Sequence, residues 1–210
     1  MKWNNAKITV VLVLSSLAVT TIAQAQNTTQ ANTDALFQKA ESLAKSDIAG
    51  ALAVFELIMQ QSVEKDRRMF GRADGEYWDL IQKENSYPRA YDFFAQLAAA
   101  HPESADVLGS EGSAIGGYLG WLQSKGLGQL ADEQFIATLD SKAHDAFAKA
   151  LKIDPENFSA LFGYAIYESY KPDGKAHSKE LFAKLDTLRA GHPYYPWSYV
   201  DQMKKQRLGN

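Results

Sequence analysis

The sequence predicts an all-α fold of antiparallel helical hairpins, and three observations predict it. From Asp34 onward apolar residues recur every three or four positions, as in Leu36, Ala40 and Leu43, or Ala51, Val54, Phe55, Ile58 and Met59. No stretch keeps the strict alternation of a half-buried strand beyond about four or five residues. Prolines fall between the periodic runs, at Pro88, Pro102, Pro155, Pro172 and Pro193. A ring that cannot continue a helix interior marks helix boundaries there.

Composition bounds what such a chain does. Its 210 residues allow one domain or one short repeat array. Ten Phe, ten Tyr and four Trp supply ample material for a core. The formal charge is -3, and becomes -5 once Lys2 and Lys7 leave with the first 25 residues. A mildly acidic chain with no basic stripe does not suit a phosphate backbone, so nucleic acid is not an expected partner. Cysteine is absent, which excludes disulfides, a thiolate nucleophile, a cysteine zinc site and a lipid-anchored N-terminal cysteine.

Residues 1–25 read as a signal peptide. Met1 to Lys7 is short and basic, Ile8 to Ala23 is apolar, and Ala23-Gln24-Ala25 supplies a small-x-small cleavage site. Cleavage is expected after Ala25, with a periplasmic or secreted location for the mature chain. The rival reading is an uncleaved anchor, but the apolar run is short and rich in Ser and Thr. Residues 26–33 form a polar, flexible leader. No later segment reaches about 18 uninterrupted apolar residues, so membrane insertion after cleavage is not expected.

The helical part carries a degenerate repeat. Ala143, Phe147, Ala150, Leu151 and Pro155 make A-x-x-x-F-x-x-A-L-x-x-x-P within the run from Ala143 to Asn157. Small Ala lets two helices approach, Phe fills the gap toward the next hairpin, and Pro ends the unit. Ala90, Phe94, Leu97, Ala98 and Pro102 repeat the spacing. Ala51, Phe55, Ile58 and Met59 repeat its first half, and Leu161, Tyr164, Ala165, Ser178, Phe182 and Leu185 give a last copy. These residues resemble the tetratricopeptide repeat (TPR) family, most specifically over Ala143 to Pro155. The resemblance implies four hairpins, near Asp34–Gln61, Glu64–Ala100, Glu103–Ile153 and Glu156–Ala190, stacked as a short TPR-like superhelix over residues 34–190. Residues 191–210 remain as an aromatic C-terminal tail or cap. The chain departs from the family at Trp78, where a small residue is usual. It departs again at Lys125–Asp140, an insertion expected to lengthen the third hairpin's loop.

Reactive constellations are scarce. His101, His144, His177 and His192 show no pair at helical spacing, so no metal is expected. His101 and His192 precede prolines at helix ends, where an imidazolium complements the dipole. Asp132 with Glu133, and Asp154 with Glu156, sit at loops or helix starts, which acids favour without catalysis. The glycine-rich run Gly109–Gly128 has no preceding strand and no closing G-K-[ST], so it is not a phosphate loop and no cofactor is expected. Gly112, Gly116 and Gly120 stand four apart, a small face that lets another backbone come close.

The TPR resemblance implies that the first helix of each hairpin lines a concave surface. Carried over by spacing, the inward positions are Gly109, Ser113, Gly116 and Gly117 on one hairpin and Phe162, Ile166 and Tyr170 on the next. A small-residue cut-out beside an aromatic wall suits a peptide or small apolar ligand. The chain's own tail, His192–Tyr199, is the favoured occupant, because a terminal hairpin must cover its exposed apolar face. The expected function is therefore an exported, non-enzymatic scaffold that binds a protein, peptide or ligand partner in a concave helical groove. Its alternatives are an accessory subunit of periplasmic solute uptake, or a small all-α hydrolase or lyase. An enzyme would show clustered acids and imidazoles, and a scaffold an open groove of mixed small and aromatic residues.

Overall fold

A computed structural model describes residues 32–129, 132–193 and 195–209, and the expected signal peptide lies outside them. Every regular element among these residues is helical. The first helix, α1, covers residues 32–43 of the described chain, so the last two residues of the expected polar leader are helical. It is followed by α2 (Ile48–Ser62), α3 (Arg67–Glu84), α4 (Tyr87–Ala100) and α5 (Ala105–Ser124). Then come α6 (Glu133–Ile153), α7 (Phe158–Ser169), α8 (Lys175–Thr187) and α9 (Trp197–Leu208), with a short 3-10 turn at Leu127–Gln129 before α6. The all-α expectation holds.

Five helices, α2, α3, α5, α6 and α7, begin where side chains satisfy free N–H groups. Asp47 accepts from Gly50 N at 2.9 Å ahead of α2, and Asp66 from Met69 N at 2.9 Å ahead of α3. Ser104 and Asn157 do the same for α5 and α7, accepting from Val107 N and Ala160 N. Such caps contribute about 1 kcal/mol each. Asp132 caps α6, accepting from Gln134 N at 3.0 Å. That cap corrects one expectation: the segment Lys125–Asp140 is not all loop, because helix resumes at Glu133 and buries Leu139 and Ala143.

The chain forms two compact units, divided after Ile58. In the first, Phe37 of α1 meets Phe55 of α2 edge-to-face at 5.3 Å, with Ala40, Ala51 and Leu52 buried around them. In the second, α5 packs against α4, α6 and α7, and α7 against α6, α8 and α9. The first helices of two successive pairs, α5/α6 and α7/α8, are thus neighbours. The repeat residues Ala143, Phe147 and Ala150 are fully buried. Phe147 stacks on Tyr164 of α7 at 4.8 Å, across the seam between the pairs. Trp78 stacks on Phe94 at 6.0 Å, so its bulk is accommodated between α3 and α4.

Candidate functional site

The seven residues expected to line a groove divide by location. Gly109 is buried, and a Cβ added there would lie 2.8 Å from the backbone nitrogen of Ala160. Gly116 lies under Tyr167, whose Cδ2 would be 2.7 Å from an added Cβ. These two glycines serve the close approach of α5 and α7 instead of an open cut-out. Ser113 is half-buried and donates back to Gly109 O at 3.0 Å. Gly117, also half-buried, faces the rings of Tyr87 and Trp78.

On α7, the half-buried Phe162 packs with Phe158, Phe182 and Tyr199. Ile166 joins the same apolar cluster, which Val200 and Leu208 of α9 help to bury. Tyr170 is 64% exposed. The guanidinium of Arg207 stacks 4.1 Å from its ring centroid and donates to its hydroxyl. The tail thus folds back on α7: Tyr195 lies 4.3 Å and Trp197 5.8 Å from Phe158, ring to ring. Tyr194 lies outside the described residues.

What this arrangement leaves is an aromatic surface. Burial raises the Tyr87 hydroxyl above the usual phenol range, and the phenols of Tyr170 and Tyr199 raise it further. Tyr87 lies over Gly117, Tyr170 is held by Arg207, and Tyr199 packs on Phe162, so each ring has its own contacts. Two cavities, of about 320 and 290 Å³, lie elsewhere, and none of the seven expected residues lines either one.

A second constellation was not legible in the sequence. Glu168 of α7 is 93% buried at its side chain, and two imidazoles converge on it. His177 Nδ1 is 3.2 Å from its Oε2, and His144 Nε2 is 3.5 Å from its Oε1. Lys171 lies 2.8 Å from Asp140 Oδ1 and 3.7 Å from Glu168 Oε1, and donates to His144 Nε2. Tyr167 donates to Asp140, and His144 Nδ1 is 2.7 Å from the Tyr164 hydroxyl.

Donor and acceptor chemistry orients this network. An ammonium only donates, so His144 Nε2 accepts and its proton sits on Nδ1 toward Tyr164. A carboxylate only accepts, so His177 donates through Nδ1 and keeps the Nε2 lone pair. Burial alone would raise Asp140, but its bonds from Lys171 and Tyr167 hold it below the usual carboxylate range. Burial and Glu168 together push the Tyr164 hydroxyl up to about 12. His144 and His177 are 33 positions apart on different helices, which is why helical spacing could not pair them. Of the remaining histidines, His101 meets Glu64 at 3.2 Å, 37 positions away, and His192 stacks on the nearby Tyr195 at 4.8 Å.

Among the described residues, fold and sites together define an all-helical protein of paired helices with exposed aromatic rings and a partly buried polar network. No family model, curated protein or solved structure matches the chain. Among the described residues, no helix is long and apolar enough to cross a membrane, and no group of three or more acids and histidines is arranged to hold a metal ion.

Proposed function

We propose that the protein is an exported, divergent TPR-like scaffold that binds an extended peptide or protein partner. The partner lies on the surface formed by Trp78, Tyr87, Gly117, Tyr170 and Tyr199. The observation that carries this reading is the exposure of large aromatic rings, Tyr170 at 64% and Tyr199 at 41%, with Tyr87 over the small Gly117. Tyrosine offers a large, rigid contact area with a polar tip and little conformational entropy to lose, as recognition surfaces require. The neighbouring first helices α5 and α7, and the buried Ala143–Phe147–Ala150 seam, support the TPR-like stacking. Secretion rests on the tripartite pattern of residues 1–25.

The test is site-specific photo-crosslinking in cells, with the crosslinker at position 170 or 199 and a control at the exposed Lys152. One shared adduct at 170 and 199, missing at 152 and lost with Tyr87→Ala, is the expected result. Equal adducts at all three positions, or none, would sink the scaffold reading. Export is checked separately by N-terminal sequencing, which should begin at Gln26.

A second reading, acid–base catalysis, draws on the buried Glu168 that orients His177 with its Nε2 lone pair free. It requires a turnover that His177→Gln abolishes without unfolding the chain.

A further inference from the structure

Lys171 lies in the turn between α7 and α8, beyond the last helical residue of α7. Its ammonium does not extend into solvent. It lies 2.8 Å from Asp140 Oδ1, donates to Asp140 Oδ2 at 3.1 Å and to His144 Nε2, and approaches Glu168 Oε1 at 3.7 Å. The ring of Tyr167 closes one side, its centroid 4.5 Å from Nζ. The occupant is therefore surrounded by two carboxylates, an imidazole lone pair and an aromatic face. That set complements one chemical group, a primary alkylammonium with three N–H donors and a compact positive charge.

The walls do not belong to the occupant. Asp140 and His144 come from α6, and Tyr167 and Glu168 from α7, each held by contacts of its own. Tyr167 is pinned between Gly116 and Asp140, and Glu168 is held through Oε2 by His177. Glu168 Oε1 is buried, points into the enclosure, and makes no hydrogen bond. Asp140 is 42% exposed, so the enclosure opens to solvent on that side. Lys171 itself is tethered through a turn and a flexible four-carbon stem, and its withdrawal disturbs no helix.

We propose that this enclosure is a binding site for a primary alkylammonium group, with Lys171 as an internal occupant that such a ligand displaces. A tethered side chain competes at an effective concentration on the order of millimolar. A simple monoamine therefore displaces Lys171 only at high concentration. A ligand with further contacts along the Asp140 opening does so at lower concentration.

Truncation at the β-carbon removes a propylammonium equivalent, so n-propylammonium chloride is the probe and Lys171→Ala the variant. The variant should bind the probe saturably, read as a rise in melting temperature. The wild type should need at least tenfold more. Adding Asp140→Asn to the variant should weaken binding at least tenfold, and sodium chloride at equal ionic strength should not substitute. A folded Lys171→Ala protein that responds to the probe no differently from sodium chloride, or identically to wild type, overturns the proposal. If the variant does not fold, the wild type decides: His144 ring-proton shifts must move with n-propylammonium and not with sodium chloride.

Discussion

The α-carbon of Gly109 in α5 lies against the backbone of Ala160 in α7, close enough that a single added methyl group would meet Ala160 N at 2.8 Å and Ala160 Cα at 3.0 Å. Backbone cannot rotate away as a side chain can, and Ala160 N is itself held by the Asn157 cap at 2.9 Å. Gly120 of the same helix has nothing within 4 Å of such a methyl and is exposed. The two positions therefore respond oppositely to the same change. Gly109→Ala should destabilise the protein by about 2 kcal/mol, overpacking outweighing helix propensity. Gly120→Ala should stabilise it by up to about 1 kcal/mol. Urea titration of both variants checks the pair, and a shift of the same sign in both would refute the assignment of a seam at Gly109.

Asp74 provides a pH dependence with a defined sign. Burial raises its carboxyl to about 7. The Ser110 hydrogen bond opposes that rise, nearby Asp106 adds to it, and Trp78 lowers it. The hydroxyl of Ser110 lies 3.1 Å from Oδ2, while Oδ1 has no hydrogen bond. A raised folded value means that the native state holds the proton more tightly than the unfolded chain. Its stabilising effect is complete below the unfolded value near 3.8 and is lost as pH rises to about 7. The wild type should lose about 2 to 3 kcal/mol more between pH 5 and pH 8 than Asp74→Asn does. Denaturation of both proteins at the two pH values measures this. Parallel pH dependence would show that Asp74 is ionised at little cost.

Truncation after Ala190 tests the tail. It removes Val200 and Leu208, both buried, and lifts Trp197 from Phe158. The melting temperature should fall by about 10 °C, and an apolar dye should bind the uncovered Phe158 and Phe162. Ion pairs also strap α9 down, through Arg189 to Asp201 and through Lys204 to Asp186 at 2.6 Å. These are partly exposed and contribute at most about 1 kcal/mol each, so Asp201→Asn should cost far less than the truncation. An unaltered melt on truncation would mean that the tail does not cap α7.

Much of the fold was legible because its causes are local. Helical periodicity and prolines between runs each act within a few positions. The pairing of α7 with α8 follows from their short connection. The last helix was not legible: α9 buries only Val200 and Leu208, so an aromatic run with little apolar periodicity reads as tail. The glycine ladder meets rings instead of a backbone, Phe147 at Gly112 and Tyr167 at Gly116, with nothing at Gly120, and the close backbone lies at Gly109. Which backbone or ring would fill it was beyond reach, so Gly109 and Gly116 were assigned to a groove although α7 occupies them.

By itself the sequence determined a helical chain whose seams are made of small and aromatic residues, because those preferences are properties of neighbours three and four positions apart. Only the tertiary structure decided that His144 and His177 meet on one buried glutamate, that Lys171 turns back among Asp140, His144 and Tyr167, and that Tyr199 packs on Phe162 while Tyr87 lies over Gly117. Those residues come together through the crossing of helices far apart along the chain, and no short-range pattern records where two helices will touch.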